Sequence, residues 1–397
     1  MQVPETILKN MVNTRPKNKK TLKTQASIED FDHQSTQPGA LIGSSDDLLT
    51  EILLRLPAAS VLRFKIVSKH WHLLLSHTHF TRRYDSLFKT PGFFTGKSNT
   101  YVPFDVETIG TTPFSSLGFH FDPNGIRILQ SCNGLLLCHS NLKSNADCKY
   151  YVVNPTTKQF AVIPSVPAGH DVGKTVLFMS LAFHQTGCVH YKLVCIHRVK
   201  PGVAFQIQMY SSDTGKWKVS VESFYTVWPF VSNGVYWNRA LYWAPTHRKL
   251  LYFKIHVEQL EMMPLPEEMM SSLDTYTIYF GESRGHLHLI VYDYNRLCHN
   301  VYEMLSDHSG WFVKYRVDLG GLLHALPELA YWCQNRFNFS DVIRGEKEED
   351  TFFLLLRIPG KIITFNVHDK SFNHIFNSVI KDSYQETHRY TETLASL

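Results

Sequence analysis

Apolar positions along the chain are far denser in one short segment near the N-terminus than elsewhere. Between Leu48 and Leu75, in "LLTEILLRLPAASVLRFKIVSKHWHLLL", 17 of 28 residues are apolar, against 44% of the whole chain. From Leu48 to Leu56 they recur at three- and four-residue intervals, which is the spacing of one helix face. An amphipathic surface helix needs only about three apolar residues in seven. The pattern therefore predicts helices with more apolar surface than the core of a small fold can bury.

Three short helices with tight links account for this segment. Ser44 and Asp47 have the S-x-x-D spacing of an N-cap with an acid in the first turn, so the first helix is predicted to begin there. Pro57 ends it, because proline has no amide hydrogen to donate. The second helix is predicted over "AASVLRFK", and Ser68 is predicted to cap the third, "KHWHLLLSH".

A unit of about 40 residues cannot enclose so many large side chains by itself. Some of them must meet another surface, either the rest of this chain or another protein. An exposed apolar helical patch is the usual mark of a docking site. The segment therefore predicts either a docking module or an N-terminal part of a larger core.

From about residue 100 the pattern changes to short apolar and aromatic runs separated by turn residues, such as "NGLLLCHS" and "HLHLIVYDY", which predict antiparallel strands. A loose repeat, in which a strand of the type Y-x-V/F/I runs into a polar turn, begins near Tyr151, Met209, Tyr252, Val301 and Ile363. Its period is close to that of four-stranded propeller blades. The predicted fold is mainly β, with a small N-terminal α module followed in sequence by a propeller-like domain. Residues 326–350 are interpreted as a long insertion in that domain.

The charge of the chain is concentrated in its first residues. The net charge is +5, and the segment Lys9–Lys23 carries six basic residues and no acidic one. Residues 1–42 are predicted to be a disordered basic leader, which is either a solvated tail or a nuclear signal. Neither a signal peptide nor a run long enough to span a bilayer is found, so we expect the protein in the cytoplasm, the nucleus or both, with no membrane partner. The near-neutral remainder argues against nucleic acid as a partner.

The segment "DDLLTEILLRLPAASVLRFKIVSKHWHLLL" (Asp46–Leu75) resembles an F-box, in particular the plant type with Leu-Pro, then Leu-Arg-Phe, then Val-Ser-Lys-x-Trp. Downstream, "SCNGLLLC", "NPTTKQFAVIP", "NGVYWNRALYWA" and the terminal "YTETLASL" resemble the F-box-associated domain of plant F-box proteins, a kelch or galactose-oxidase-like domain of the propeller type. The resemblance implies an F-box over residues 43–85 and an associated β domain over residues 90–397.

In that family the F-box docks on a Skp-type adaptor, which hangs on a cullin scaffold with a RING subunit, and the C-terminal domain captures the protein to be ubiquitinated. The resemblance assigns adaptor contact to seven residues at matching positions. They are Leu48, Ile52, Leu56, Pro57, Leu62, Val67 and Trp71. The chain departs from the family pattern in having Ser44-Ser45 where Leu-Pro is common and Ile66 where Cys is common.

Motifs for catalysis, cofactors or metals are weak. "GFFTGKS" and "GHDVGKT" each have three residues between the glycines where a phosphate-binding loop needs four. The histidines of "HWHLLLSHTHF" lack the i, i+4 spacing of a helical metal site, and His286 and His288 are interpreted as structural. Seven cysteines without a C-x-x-C pair are expected to be reduced and mostly buried. We therefore predict no catalytic residue, no cofactor and no metal, and assign no substrate-binding residue.

The function predicted from the sequence is that of a non-catalytic substrate receptor of a Skp–cullin–F-box ubiquitin ligase. Two alternatives stay open. One is a propeller-type enzyme or carbohydrate-binding protein, in which the helical segment is only packing. The other is a nuclear F-box protein that acts outside the ligase. The aromatic residues Tyr236, Trp237, Tyr242 and Trp243 could mark a recognition surface, but we expect them to be core.

Overall fold

The computed structural model describes residues 43, 45–87, 92–96, 98–104, 116–117, 122–140, 148–167, 176–184, 190–200, 204–225, 233–244, 249–271, 276–292, 298–327, 338–345, 352–358, 360–377 and 386–397. The basic leader and the stretch "GHDVGKT" lie outside these residues. The chain divides into two compact units, Met1–Phe88 and Lys89–Leu397, and each is described by itself.

Four helices lie between residues 45 and 87 of the first unit. They are α1 (Asp46–Leu53), α2 (Ala58–Phe64), α3 (Lys69–Ser76) and α4 (Thr78–Leu87). The first three confirm the helices predicted from the sequence. The fourth was not predicted, because its segment "THFTRRYDSL" is mostly polar and, among large apolar side chains, buries Phe80 and Tyr84. These two aromatic side chains are buried, so α4 adds to the core of the unit.

The described part of the second unit is almost entirely β, with two short helices, α5 (Glu267–Ser271) and α6 (Gly320–Ala325). Five four-stranded sheets follow one another along the chain and are called blades 1 to 5. Blade 1 comprises β3 (Ile126–Cys132), β4 (Leu135–Ser140), β5 (Tyr150–Asn154) and β6 (Gln159–Ile163). Blade 2 comprises β7 (Val176–Ala182), β8 (Lys192–Lys200), β9 (Ala204–Ser211) and β10 (Lys216–Tyr225).

Blade 3 comprises β11 (Val235–Trp237), β12 (Ala240–Trp243), β13 (Lys249–Lys254) and β14 (Gln259–Pro264). Blade 4 comprises β15 (Tyr276–Ser283), β16 (His286–Tyr292), β17 (Cys298–Met304) and β18 (Trp311–Asp318). Blade 5 comprises β19 (Asn338–Arg344), β20 (Phe352–Ile358), β21 (Lys361–Asn366) and β22 (Phe372–Asn377). A sixth, three-stranded sheet, blade 6, has the order β2 (Tyr101–Pro103), β1 (Gly92–Thr95), β23 (Thr387–Tyr390).

The six sheets form a closed ring. Within blades 1 to 5 each strand pairs antiparallel with the next one along the chain, and the first strand of one blade lies beside the first strand of the following blade. A separate apolar cluster fills each junction between consecutive blades, including those of blade 6 with blade 1 and with blade 5. The second unit is therefore a six-bladed β-propeller, which confirms the predicted fold class.

The repeat recognised in the sequence has a simple structural meaning. Tyr151, Met209, Tyr252, Val301 and Ile363 lie on β5, β9, β13, β17 and β21, which are the third strands of blades 1 to 5. A third strand is paired on both edges, so it keeps the apolar alternation that makes a strand visible in sequence.

The interpretation of residues 326–350 as one long insertion was wrong. Asn338–Arg344 form β19, the first strand of blade 5, which pairs with β20. Its sequence "NFSDVIR" did not look like a buried strand because it carries Asp341 and Arg344. Both charged groups are nearly buried and have ion-pair partners, which is how this inner strand of the propeller tolerates them.

Candidate functional site

Helix α1 begins at a serine cap, but one residue later than predicted. Ser45 has an extended backbone, and its hydroxyl oxygen accepts a hydrogen bond from the Leu48 amide over 3.5 Å. Ser45, not Ser44, is therefore the N-cap, and Asp46 and Asp47 occupy the first turn. This start buries Leu49 and Leu53 on one side of the helix.

The link from α1 to α2 is short and is held by α4. Residues 54–56 form a turn, and the Pro57 carbonyl accepts hydrogen bonds from the amides of Ser60 and Val61 at the start of α2. Pro57 thus separates the two helices as predicted. The Tyr84 hydroxyl donates to the Leu56 carbonyl oxygen over 2.9 Å, and Arg83 pairs with Glu51 over 2.5 Å. Helix α4 fixes the position of the Leu-Pro turn in this way.

Helix α3 has the predicted cap and holds the largest side chain of the segment. The Ser68 hydroxyl accepts a hydrogen bond from the Trp71 amide over 3.1 Å. The Trp71 ring is buried and meets Phe64 edge to face, with 5.4 Å between ring centroids. Trp71 therefore ties α3 to α2 inside the module.

The seven residues assigned to adaptor contact differ in how far they reach the surface. Leu48, Pro57 and Val67 are exposed, with 53% of Leu48 and 46% of Val67 accessible to solvent. Ile52, Leu56 and Leu62 are half-buried, whereas Trp71 is buried. Six of the seven thus present apolar atoms to solvent, and Trp71 supports them from within. We call Leu48, Ile52, Leu56, Pro57, Leu62 and Val67 the predicted contact set.

Two further aliphatic residues are more exposed than Leu48 and Val67. Ile66 is 87% exposed and Leu73 71% exposed. Ile66 was noted in the sequence only as a departure from the family's Cys, and Leu73 lies in the run "HLLL" beside the buried Leu75. Helical spacing does not show which of three consecutive leucines faces solvent, so Leu73 gave no separate signal.

The charges around these side chains are mixed. His70 of α3 meets Asp46 of α1, with 2.8 Å between imidazole nitrogen and carboxylate oxygen. Arg55, Arg63 and Lys69 are exposed, whereas burial lowers the pKa of the half-buried Lys65. Exposed acidic side chains, Asp46, Asp47 and Glu51, lie on α1, so charges of both signs surround the apolar side chains.

Comparison with known proteins agrees with this geometry. The F-box domain family matches residues 45–83, and the family described as the F-box associated beta propeller domain matches residues 112–284. An Arabidopsis thaliana relative, F-box protein At5g07610, is 31% identical over 91% of this chain and 94% of its own length. The chain belongs to the F-box family. It combines an N-terminal F-box with an F-box-associated propeller domain.

Other similarities are more distant. The putative F-box/kelch-repeat protein At1g12870 of Arabidopsis thaliana is 24% identical over 73% of this chain and 77% of its own length. Among solved structures, an oligogalacturonate lyase in complex with manganese aligns over 72% of this chain and 74% of its own, with a TM-score of 0.42 and 10% identity. A likeness this remote says nothing of the chemistry of the present F-box protein.

The histidines of blade 4 lie in a polar cluster with charged partners. His286 Nδ1 is 2.7 Å from Glu303 Oε1, and Arg344 donates to Glu303 Oε2 over 2.8 Å. His288 is fully buried near them, and burial lowers its pKa to about 3. Within the described residues no group of three or more His, Cys, Asp or Glu side chains is arranged to hold a metal ion.

The remaining sequence features are mostly structural. Trp237, Tyr242 and Trp243 are buried and Tyr236 is half-buried, which confirms them as core aromatics. Gly92–Thr95 of "GFFTGKS" form β1 rather than a loop before a helix. Three of the five described cysteines are buried, and all five are free thiols. No helix in the described part of the chain is both long and apolar enough to cross a membrane.

Proposed function

We propose that this protein is the substrate-recognition subunit of a Skp–cullin–F-box ubiquitin ligase. The F-box would dock on a Skp-type adaptor and, through it, on the cullin and RING subunits, while the propeller captures a target protein. The observation that carries the proposal is the partly exposed apolar contact set on a module of the F-box family. A monomeric domain has no use for so many solvent-facing aliphatic groups on so small a module.

The contact set contributes part of the free energy of such an interface. Full burial of an aliphatic side chain contributes about 1.5–3 kcal/mol. Leu48 and Val67 are about half exposed, so burial in an interface would contribute about half of that free energy for each. Association costs several kcal/mol in lost translational and rotational freedom. Ile66 and Leu73 extend the exposed apolar surface beyond the assigned positions.

The proposed mechanism is positional and uses no catalytic residue of this chain. A target held on the propeller stays close to the conjugating enzyme carried by the RING subunit. Because target and conjugating enzyme are then bound to the same ligase, the target lysines have a high effective concentration near the thioester of the conjugating enzyme. The receptor therefore determines which protein is modified, and the ligase performs the transfer.

The propeller has two different faces, and one suits target capture. In blades 1, 3 and 4 the first and second strands are joined by two-residue turns, Asn133–Gly134, Asn238–Arg239 and Arg284–Gly285, with both φ angles positive. The opposite strand ends lead into the longer connections between blades, including residues 226–234 and 319–337. We assign target capture to that second face, because longer connections carry most recognition sites on rigid scaffolds.

We place this function in the cytoplasm, the nucleus or both, and the basic residues of Lys9–Lys23 are either a solvated tail or a nuclear signal. Deletion of residues 9–23 separates this proposal from a nuclear F-box protein acting outside the ligase. A substrate receptor keeps adaptor binding and ubiquitination of its target without them, whereas a protein that uses the leader to touch nucleic acid loses its function.

The test is co-purification of the full chain with a Skp-type adaptor, a cullin and a RING subunit, comparing wild type with Leu56→Ala/Pro57→Ala. We expect the wild type to bring down all three subunits and the double variant to lose them together. A wild-type chain that binds no Skp-type adaptor would refute the proposal. The propeller-only functions, enzyme or carbohydrate binding, would then be the ones to pursue.

A further inference from the structure

The last residues of the chain close the propeller. Strand β23 pairs antiparallel with β1, from Gly92 opposite Tyr390 to Thr95 opposite Thr387, and its other neighbour is β3 of blade 1. Residues 391–397 continue from it and are largely buried. We call residues 387–397 the C-terminal strap.

One end of the strap is bound to blade 1 by neutral groups. The Asn154 side-chain amide donates to the carbonyl oxygens of Thr393 over 3.2 Å and of Ala395 over 2.7 Å. The hydroxyls of Tyr390 and Thr156 share a hydrogen bond of 2.9 Å. Beyond these bonds, Ala395 and Leu397 pack into the apolar cluster between blades 1 and 2.

The other side of the strap is bound to blades 4 and 5 by charge. Arg389 donates to the Ser283 hydroxyl over 2.8 Å and to the Val342 carbonyl over 3.3 Å, and its Nε lies 3.5 Å from Asp341 Oδ2. It also pairs with Glu282 of β15. A single side chain thus joins the strap to two further blades.

Between these two attachments lies a buried carboxyl group that no cation among the described residues balances. Glu392 is only 5% exposed, and in the described part of the chain it has neither an ion-pair nor a hydrogen-bond partner. The titratable groups that face it are the phenols of Tyr101 on β2 and Tyr390 on β23, both uncharged near neutral pH. Burial raises the pKa of Glu392 to about 7. An ionised carboxylate in this place is costly.

We propose that the C-terminal strap is a pH-sensitive closure of the propeller, held in place when Glu392 is protonated and loosened when it ionises. The folded-state pKa lies above the ordinary value of 4.5. The stabilising effect is therefore complete below about pH 4.5 and is lost as pH rises through about 7. Burial lowers the pKa of the neighbouring His388 to about 4, so that group stays neutral across this window.

Hydrogen exchange of the strap amides between pH 5 and 9 tests this closure in the full chain. After correction for intrinsic exchange, the opening equilibrium constant of residues 387–397 should rise by up to about tenfold per pH unit towards pH 7 and then level off. In Glu392→Gln the same amides should show no such rise, because the amide side chain does not titrate. Amides of β9 and β13, far from the strap in sequence, should stay unchanged.

Glu386→Gln is the matched control. Glu386 precedes β23 and is exposed, with an ion pair to Arg127, so its replacement should leave the pH profile of the strap intact. The proposal is overturned if wild-type strap protection does not fall between pH 5 and 7. It is equally overturned if Glu392→Gln keeps the wild-type profile. The wild-type titration decides the matter even where the variant folds poorly.

Discussion

At the scale of single residues, the charge of the nearly buried Glu303 carboxylate depends on the groups that pair with it. Although burial by itself raises the pKa of this carboxyl, the hydrogen bond from His286 and the charge of Arg344 lower it to about 2. The carboxylate is therefore ionised in a nearly buried place. Its contribution to stability is present above the ordinary value of 4.5 and is lost as pH falls through about 2.

Arg344→Met tests this dependence. Removal of the guanidinium leaves a nearly buried carboxylate with only the histidines His286 and His288 beside it, so we expect the free energy of unfolding to fall by about 3 kcal/mol at neutral pH. Arg284→Met, in the exposed turn next to the cluster, should change it by less than about 0.5 kcal/mol. Denaturant unfolding of both variants makes the comparison, and equal effects would show that Arg344 does not balance Glu303.

Among elements, the turn between β3 and β4 has little room for change. Gly134 has a φ of +88°, and a Cβ atom built on it would overlap the Thr393 methyl group of the strap. Gly125 has a similar φ of +75° but open space around it. The two glycines share the same conformational requirement, and only Gly134 adds a close contact.

Gly134→Ala should therefore destabilise the protein more than Gly125→Ala. The left-handed backbone alone costs an alanine about 1 kcal/mol, and the contact with Thr393 adds to this at position 134. We expect faster hydrogen exchange in residues 391–397 for Gly134→Ala only. Similar exchange of the strap in both variants would mean that the turn does not hold it.

Elements with strong local signals were predictable, and those without were not. Ser68 and Pro57 lie where the sequence placed them because capping and helix breaking are local effects. The cap of α1 fell on Ser45 because two adjacent serines offer nearly the same spacing. Strand β19 was missed because the partners of Asp341 and Arg344 lie on other blades and leave no mark in its own sequence.

At the scale of the propeller, the closure of the ring of blades could not be predicted from the sequence. Strands β1 and β23 are short, and they pair across almost the full length of the propeller domain. The blade count depends on that pairing, because β1, β2 and β23 together make the sixth sheet. The contact set could be assigned from the sequence only because the segment resembles an F-box. The exposure of Ile66 and Leu73 could be seen only in the structure.

The central claim is that the F-box docks this propeller onto a ligase through its exposed apolar side chains. Calorimetric titration of a Skp-type adaptor into the full chain tests it most directly, comparing wild type, Leu48→Asp/Val67→Asp and Leu87→Asp. Leu87 is 65% exposed at the end of α4 and lies outside the predicted contact set, so it serves as a matched control. Exposed substitutions should leave the melting temperature nearly unchanged.

We predict that wild type and Leu87→Asp bind the adaptor with similar affinity and that the double variant binds at least 100-fold more weakly, about 2.7 kcal/mol. That result would place the contact at Leu48 and Val67 without any change in folding. Wild-type binding that survives Leu48→Asp/Val67→Asp, or a wild-type chain that does not bind the adaptor, would contradict the account.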